Sequence, residues 1–239
     1  MTGGPIEVRC LVDADAVAGA MASEILAAAA EAIGGRGRFA LVLAGGRTPL
    51  AAYNLLVGED ADWERWHIFL GDERCLAASE AGRNSVSAAQ AFIDRVRIPA
   101  DNVHWIPAEL GGESAAEAYE AVIAPVLPFD LVLLGMGEDG HTASLFPGHP
   151  LPKGPLVIPV EGAPKPPAER VSLTPRALAA CRQMLIIITG ADKRGAVEAW
   201  RRGADLPVVR VASRGRARVL IDEAAAGGCV GSETLPGLN

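Results

Sequence analysis

The feature that most constrains what this 239-residue chain can fold into is a repeated alternation of short apolar runs with helix-forming segments. Each apolar run has six to eight residues, is rich in aliphatic side chains and leads directly into glycine or charged residues; the runs lie at 39–44, 66–71, 129–136 and 184–190. Runs of this length predict strands that are buried on both faces. Because these strands alternate with helices, we expect one α/β domain over residues 1–239, with a mostly parallel sheet covered by helices on both faces.

Three further segments predict strands, at 103–107, at 170–174 and in RVLIDEAA near the end of the chain. Segments rich in Ala, Leu and Glu predict the helices; they lie at 14–33, 113–126 and 191–203 and in TPLAAYNLLV and SVSAAQAFIDRV. Gly34 and Gly35 are expected to end the first helix. Thr48, just before Pro49, is expected to be the N-cap of the second helix. The segment at 147–169 is the richest in proline and glycine, and we expect a mobile excursion there.

The composition limits the possible partners. The chain is 50% hydrophobic, which is enough for a sizeable core, and its formal net charge of −7 argues against contact with nucleic acid or an anionic membrane. The N-terminus lacks the basic and then apolar pattern of a signal peptide. Glu24 and Glu31 interrupt the Ala-rich stretch at 14–33, so we expect that stretch to be too short and too polar to span a bilayer. A soluble, cytoplasmic protein is expected.

In an open parallel sheet, ligands bind in the crevice beyond the carboxyl ends of the strands. Four segments that follow predicted strands carry more glycine and polar residues than a connector needs: AGGRTP (44–49), GDER (71–74), GMGEDGHTAS (135–144) and TGADKR (189–194). We therefore expect the chemistry of the protein to lie in these four loops.

The first loop has the features of an anion site. Gly45 and Gly46 let the main chain approach a ligand closely, and the helix that follows begins with unpaired amide donors and a positive dipole end. Arg47 and the hydroxyl of Thr48 can add to such a site. A simple strand-to-helix turn is the alternative, because the motif by itself is weak evidence.

The second loop places charges at the end of an apolar strand. Side chains alternate along an extended chain, so Asp72 and Arg74 are expected to face one way and Glu73 the other. An arginine suits a carboxylate or a developing oxyanion, and an acid can orient a hydroxyl or accept a proton. The alternative is a solvated strand end with internal ion pairs.

The third loop is the most specific of the four. Asp139 and His141 flank Gly140, so the acid can orient the imidazole. Because the histidine side chain titrates near neutrality, an imidazole held in this way can take a proton from water. Thr142 and Ser144 are expected to cap a helix through ASLF. A histidine that caps a crowded turn is the alternative.

The fourth loop carries Lys193 in the first turn of a predicted helix, where a cation opposes the helix dipole and an anionic ligand would relieve the conflict. A side chain that extends into solvent is the alternative. Arg170, which opens RVSLT, is a further candidate for an anion contact.

The other histidines and the cysteines lack a comparable setting. His67, His104 and His149 have no partner acid in such a loop, and we expect them to be core or surface histidines. The histidines have no HxxxH spacing and the four cysteines no CxxC, so no metal is expected.

Together these segments resemble the 6-phosphogluconolactonase family. The matching pieces, in the family's order, are LAGGRTPLAAYNLL, WHIFLGDERC with GRNS, FDLVLLGMGEDGHTASLFPG, RVSLTPRAL and the TGADKR helix, and they span about residues 39–200. GMGEDGHTASLFPG is highly specific and GDER supports it strongly, whereas the glycine loop is shared more widely. The glucosamine-6-phosphate deaminases are similar to this pattern too, but they usually differ after DGH.

The resemblance implies a Rossmann-like α/β fold, no cofactor, and hydrolysis of 6-phospho-D-glucono-1,5-lactone to 6-phospho-D-gluconate in the pentose phosphate pathway. It implies that His141 is the general base that activates water and that Asp139 supports it, with Glu138 left open as the alternative partner. Asp72 and Arg74 would line the lactone end of the site. The residues that would hold the phosphate are Gly45, Gly46, Arg47, Thr48, Arg170 and Lys193.

The chain departs from the family's pattern at Ala44, where the family often has Ser, and at Arg47, where it has a small hydroxyl residue. Two other functions stay open: a deaminase or isomerase of an amino-sugar phosphate, and a non-catalytic sugar-phosphate-sensing module. The module would need a DNA-binding helix-turn-helix, and only about one helix precedes the first predicted core strand. The expected partner is a small sugar phosphate lactone, with no nucleic acid and no membrane, and the chain is compatible with a monomer or a homodimer.

Overall fold

Parallel strands form the centre of the fold in a computed structural model that describes residues 6–149, 153–228 and 233–237. The strands are β1 (Ile6–Leu11), β2 (Phe39–Leu43), β3 (Trp66–Leu70), β4 (Asp72–Arg74), β5 (Phe129–Gly135), β6 (Val157–Val160), β7 (Arg170–Leu173), β8 (Cys181–Ile188), β9 (Ala217–Asp222) and β10 (Glu233–Leu235). The helices are α1 (Ala14–Arg36), α2 (Arg47–Leu56), α3 (Asn84–Ala91), α4 (Gly112–Ile123), α5 (Pro175–Ala179), α6 (Arg194–Arg201), α7 (Pro207–Ala212) and α8 (Glu223–Ala226).

The main sheet has the strand order β10-β1-β9-β8-β5-β2-β3. Neighbouring strands are parallel except for β1 and β10, which are antiparallel at one edge. The prediction of an α/β fold with a mostly parallel sheet is therefore confirmed. Because the carboxyl ends of parallel strands meet at one edge, the loops after β2, β3, β5 and β8 lie together there. These are the four loops singled out in the sequence.

A second, antiparallel sheet has the order β4-β7-β6. Gly71 alone separates β3 from β4, so this small sheet begins at the carboxyl edge of the main sheet. Its register sets Asp72 opposite Ser172 and Arg74 opposite Arg170. The sequence pattern predicts β7 but neither β4 nor β6. Because β6 lies inside 147–169, part of the segment expected to be a mobile excursion is a strand.

The core lies around the strands of the main sheet. Every residue of β2 is buried, and so are the first six of β5, as expected for strands covered on both faces. Burial of each large aliphatic side chain contributes about 1.5–3 kcal/mol. Several of the largest fully buried side chains are aromatic: Trp66, Trp200, Tyr53, Tyr119 and Phe39.

Two buried tyrosines hold the strand ends from which the loops leave. The hydroxyl of Tyr53 accepts a hydrogen bond from Ala44 N at 3.0 Å and donates one to Ala44 O at 2.9 Å. Tyr119 does the same at Leu70, with distances of 2.8 and 3.1 Å. The main-chain N–H and C=O groups of Ala44 and Leu70 are thereby paired with tyrosine hydroxyls inside the protein. This pairing fixes where the glycine loop and the GDER segment begin.

Helix α1 ends later than expected. The prediction that Gly34 and Gly35 end it is wrong, because the helix continues to Arg36. Gly37 ends the helix with a φ of 74°, and its N–H bonds to the carbonyl of Ile33. In this left-handed region a residue without a Cβ is favoured, so the third glycine of the cluster is the cap.

Helix α1 also differs from expectation in its hydropathy. With 23 residues it is long and apolar enough, by length and composition alone, to cross a membrane, so the expectation that it is too short and too polar is wrong on that criterion. The side chains of Val17, Met21 and Ile25 are fully buried in the core of the protein. A buried core helix passes the same test of length and composition.

Other local predictions are also corrected. The segment at 103–107 is not a strand; among the described residues it has only an isolated bridge between Ile68 and Val103. Thr48 is not an N-cap, because α2 already begins at Arg47 and Gly46 precedes it with a φ of 114°. ASLF forms turns rather than a helix capped by Thr142 and Ser144.

Candidate active site

A cavity of about 360 Å³ lies at the carboxyl edge of the main sheet. Most of the predicted site residues line it: Gly45, Gly46, Asp72, Arg74, His141, Arg170 and Lys193. Five charged side chains line it: the basic residues Arg74, Lys165, Arg170 and Lys193, and one acid, Asp72. A cavity of this volume and charge suits an anionic ligand of sugar phosphate size.

His141 and Asp139 are in direct contact. The Nδ1 atom of His141 lies 2.5 Å from Oδ1 of Asp139, and the same oxygen accepts the His141 main-chain N–H at 3.1 Å. Burial alone would raise the pKa of Asp139, but these hydrogen bonds outweigh burial and hold that pKa below its usual range. With Nδ1 bonded to the carboxylate, Nε2 is the ring nitrogen that can act on a ligand. Glu138 pairs instead with Lys165, so Asp139 is the acid that orients His141.

The loop that carries His141 is a tight turn closed by its own main chain. Gly137 N donates to His141 O at 2.8 Å, and the Thr142 hydroxyl donates to Gly135 O at 2.8 Å. Ala143 has a φ of 47°, a left-handed conformation that is unfavourable for a residue with a Cβ, and it lines the cavity. A backbone conformation of this kind persists only where the surrounding structure holds it. Here it occurs at Ala143, two residues after the candidate base His141.

Asp72 lies in the wall of the cavity with a donor on each carboxylate oxygen. Ser144 Oγ donates to Oδ2 at 2.6 Å, and Asn84 Nδ2 donates to Oδ1 at 3.2 Å. Burial raises the pKa of Asp72, while the Ser144 hydrogen bond and the nearby Arg74 and Arg170 oppose that rise. The side chains of β4 alternate as expected: those of Asp72 and Arg74 line the cavity and that of Glu73 does not.

The two arginines of the cavity are held by main-chain carbonyls. Arg74 donates from Nη1 to the carbonyl of Gly82. Arg170 is almost fully buried and donates from Nε to Pro167 O at 3.2 Å and from Nη2 to Lys165 O at 2.8 Å. Its guanidinium carbon also lies 5.6 Å from the centre of the Phe146 ring. Arg170 is therefore part of the cavity wall and also fastens the loop at 165–167.

Arg47 and Thr48 do not line this cavity. They line a second, adjoining cavity of about 560 Å³, and the hydroxyl of Thr48 lies 2.7 Å from that of Thr189. Gly45, Gly46 and Lys193 line both cavities. The predicted anion-binding set is thus split: its two glycines and Lys193 lie at the junction, Arg170 lines only the first cavity, and Arg47 and Thr48 line only the second.

Lys193 is partly buried at that junction, with 19% of its side chain exposed. Its Nζ lies 2.8 Å from Oδ2 of Asp192 and 4.0 Å from Oε1 of Glu138. It belongs to a 3₁₀ turn, Ala191–Lys193, that precedes α6, so the predicted helix at 191–203 begins as a tighter turn. Lys193 is a cation held beside the glycine loop by two acids.

Sequence reasoning missed four residues that the structure brings to the site: Asn84, Ser144, Phe146 and Lys165. Asn84 also packs against Gly45, where a Cβ would overlap its amide oxygen. This close approach explains why the loop has glycine at that position. Ser144 was expected to be a helix cap, and Lys165 lies in a proline-rich segment with no local sign of chemistry.

The remaining histidines do not line either cavity. The rings of His67 and His104 stack with centroids 5.9 Å apart, and burial lowers the pKa of both. His149 contacts the edge of Phe146. Among the residues that the structure describes, no three His, Cys, Asp or Glu side chains are grouped so as to hold a metal ion.

Fold and cavity together define a class of protein: an α/β protein with a basic cavity, of a size that suits an anionic sugar, at the carboxyl edge of a parallel sheet and beside an acid–histidine pair. A family model described as "Glucosamine-6-phosphate isomerases/6-phosphogluconolactonase" matches residues 12–221. The chain belongs to this family.

Individual relatives are similar over nearly the whole chain. The 6-phosphogluconolactonase of Streptomyces coelicolor is 37% identical over 237 residues, which cover 90% of this chain and 91% of the relative. The 6-phosphogluconolactonase of Mycobacterium tuberculosis is 34% identical over 238 residues, covering 92% and 96% of the two chains. The crystal structure of the Thermotoga maritima 6-phosphogluconolactonase aligns with a TM-score of 0.83 at 32% identity, over 90% of this chain and 98% of that one.

Proposed function

We propose that this protein is a 6-phosphogluconolactonase, which opens 6-phospho-D-glucono-1,5-lactone to 6-phospho-D-gluconate in the oxidative pentose phosphate pathway. The observation that carries the proposal is the contact of Asp139 with His141, whose ring lines a cavity with four basic side chains and one acid, Asp72. An imidazole oriented by a carboxylate is a general base for water, and basic residues attract a phosphorylated substrate. The names of the relatives from Streptomyces coelicolor and Mycobacterium tuberculosis support the same reaction.

In the proposed reaction, Nε2 of His141 takes a proton from water as the water oxygen bonds to the lactone carbonyl carbon, C1. The Asp139 carboxylate holds the Nδ1 proton and stabilises the imidazolium that forms. The tetrahedral intermediate then expels the ring oxygen: the C1–O5 bond breaks, and O5 receives the proton from His141. The products are a carboxyl group at C1 and a hydroxyl at C5, and water is the only co-reactant.

Arg74 and Asp72 have separate proposed roles at the lactone end. Arg74 lines the cavity and donates to the carbonyl oxygen, where negative charge grows as water attacks. Asp72 already accepts hydrogen bonds from Ser144 and Asn84 on its two oxygens. We therefore place it as an acceptor that orients a sugar hydroxyl rather than as a second base for water.

The phosphate is proposed to lie where the two cavities join. Gly45, Gly46 and Lys193 line both, and the main-chain amides that open α2 favour an anion there. Arg47 and Thr48 contact the phosphate from the side of the second cavity, and Arg170 supports it through the wall of the first. Because the phosphate is remote from C1, its binding energy holds the ring in position for attack.

A glucosamine-6-phosphate deaminase or isomerase is the second candidate, because the matching family model covers both activities. Ammonia release from glucosamine 6-phosphate, measured beside lactone hydrolysis, separates the two reactions. A sugar-phosphate-sensing module would bind the ligand and turn over neither substrate.

We further propose that the protein acts in the cytoplasm as one domain over its 239 residues. Its partner is the small-molecule substrate rather than a nucleic acid or a membrane. Sedimentation of the purified protein decides between a monomer and a homodimer.

The decisive experiment replaces the proposed base. His141→Ala is expected to lower kcat about a hundredfold or more, the usual scale for a positioned proton transfer, after spontaneous lactone hydrolysis is subtracted. Asp139→Asn is expected to lower kcat as well, because an amide does not hold the imidazolium as a carboxylate does. His67→Gln is the matched control and is expected to retain activity, because His67 lies near the start of β3, away from the carboxyl edge where the cavity lies. Near wild-type turnover in a folded His141→Ala protein overturns the assignment.

A further inference from the structure

Helix α7 contacts the turn that carries the candidate base, although it lies beyond the family motifs at 39–200. Val208 N, in the first turn of α7, donates to Gly140 O at 3.1 Å. The side chain of Leu206, just before the helix, lies against Gly140: a Cβ added there would be 2.8 Å from Cδ1 and 3.0 Å from Cδ2 of Leu206. Gly140 has a φ of 82°, so its backbone conformation and this contact both favour glycine.

The peptide group between Gly140 and His141 is held at both ends. Its carbonyl oxygen accepts the N–H of Val208, and its N–H donates to Oδ1 of Asp139 at 3.1 Å. The same oxygen of Asp139 lies 2.5 Å from Nδ1 of His141. A rotation of this peptide therefore disturbs the carboxylate that orients the imidazole.

Helix α7 is a rigid support for this peptide. Three of its valines are fully buried in the core: Val208, Val209 and Val211. Arg210 forms a two-point ion pair with Asp205, with both N–O distances 2.6 Å, and its main-chain N donates to Leu206 O at 3.0 Å. Leu206 itself is half-buried and packs against the core. Close-packed side chains of this kind leave little freedom for movement.

We propose that Leu206 is a positioning residue for the reaction: together with the main chain of Val208, its side chain holds the Gly140–His141 peptide in the orientation in which Asp139 and His141 meet. This inference rests on the proposed function, because Leu206 acts through the general base assigned there. A displacement of about 1 Å in a reacting group can cost about a hundredfold in rate. Leu206 lines neither cavity, so its loss affects proton transfer rather than substrate binding.

The first test truncates the side chain beside Gly140. Leu206→Ala is expected to lower kcat about tenfold while KM changes little, and Leu206→Val is expected to have a smaller effect of the same kind. Leu206→Met keeps the side-chain volume and is expected to restore most of kcat.

The matched control for the truncation is Leu26→Ala. Leu26 is a half-buried leucine of helix α1 that packs against the core and lines neither cavity, so its truncation costs stability and leaves kcat unchanged. Turnover is measured below the unfolding temperature of every variant. An unchanged kcat in the folded truncations of Leu206, or an equal loss in Leu26→Ala, overturns the proposal.

A double-mutant cycle tests whether Leu206 acts through His141. If it does, Leu206→Ala lowers kcat in the wild-type background and has little further effect in His141→Ala, whose residual turnover needs no oriented imidazole. A role in the stability of the fold alone would lower turnover by the same factor in both backgrounds. Equal factors therefore contradict the positioning role.

A titration separates failure of this inference from failure of the proposed function. Burial raises the pKa of Asp139, but the hydrogen bonds from His141 outweigh burial and hold that pKa below its usual range. The Asp139 carboxyl carbon is followed by NMR as pH is varied, which requires no turnover, and Leu206→Ala is expected to raise this pKa while Leu26→Ala leaves it in place. If wild type fails to hydrolyse the lactone and Leu206→Ala still raises the pKa, the proposed function fails and the positioning of the pair stands. If wild type is active and the pKa is the same in Leu206→Ala, the positioning role alone is wrong.

Discussion

Ser144 Oγ donates a hydrogen bond of 2.6 Å to Oδ2 of Asp72, and both side chains are buried. The bond joins the loop after β5 to the first residue of β4, although the two residues are 72 positions apart in the chain. It therefore ties together two loops that the sequence presents as separate motifs. It also fixes the orientation of a carboxylate in the wall of the cavity that holds His141.

The first prediction concerns this bond. Burial raises the pKa of Asp72 and the Ser144 hydroxyl opposes that rise, so Ser144→Ala is expected to raise the pKa further. The ionised carboxylate is the form that accepts both hydrogen bonds, so activity is lost as pH falls through this pKa. The acid limb of the kcat/KM profile is therefore expected to move to higher pH. At neutral pH, loss of a bond worth about 1 kcal/mol lowers kcat/KM about fivefold.

The measurement is a pH profile of kcat/KM for wild type, Ser144→Ala and Ser23→Ala. Ser23 bonds to a carbonyl within helix α1, remote from the cavity, and its replacement leaves the profile in place. An acid limb that is identical in Ser144→Ala and wild type would show that Asp72 does not need to be ionised.

The outline of the main sheet could be predicted because its strands are buried on both faces and therefore read as continuous apolar runs. The small sheet could not. β4 is only three residues long, all charged, and β6 lies in a segment whose proline and glycine content indicates a loop. Their pairing with β7 is a tertiary contact with no local pattern. The same holds at the end of α1, which continues through Gly34 and Gly35 to Arg36, whose Nη2 lies 2.7 Å from Oδ1 of the distant Asp130.

The contacts of the candidate site also divide into those that the sequence predicts and those that it does not. Asp139 and His141 are two residues apart, so their contact is local and follows from the motif. The contacts of Asp72 with Ser144 and of Lys165 with Glu138 join distant segments, so a single sequence contains no sign of them. Arg47 shows the converse: it adjoins the glycine loop in sequence, yet its position at the start of α2 directs it to the second cavity.

The second prediction concerns the stability of the GDER strand. Glu73 is fully buried and accepts hydrogen bonds from the amides of Arg74, Asn84 and Ser85 at 2.7–2.8 Å. It also pairs with the buried Arg83, with Oε2 3.4 Å from Nε. Glu73→Gln removes the buried one of the two carboxylates that pair with Arg83, the other being Glu109 at 2.7 Å, and it sets an amide NH₂ group against main-chain donors. The free energy of unfolding is expected to fall by about 3 kcal/mol, the scale for removing one partner of a buried ion pair.

The matched control for this change is Glu198→Gln. Glu198 pairs with Arg202 at 3.8 Å on the surface of α6, and about half of its side chain is exposed. Solvent screens such a pair, so the same chemical change is expected to cost less than about 1 kcal/mol. Urea denaturation of the two variants and wild type measures both values. Equal losses would mean that Glu73 is no more important to the fold than a surface acid.

The third prediction concerns Gly137, which lies beneath the imidazole of His141. A Cβ added at Gly137 would overlap Cε1 and Nδ1 of the ring, so Gly137→Ala is expected to displace the ring and break its contact with Asp139. We expect kcat to fall by about tenfold to a hundredfold, since a misplaced base loses most of its effect. Gly34→Ala is the matched control, because nothing lies within 4 Å of a Cβ there and the residue is helical. That change is expected to stabilise the protein by about 0.5–1 kcal/mol and to leave kcat unchanged. Turnover and thermal unfolding of both variants are measured together, and wild-type turnover in Gly137→Ala would show that the position of the His141 ring does not limit the reaction.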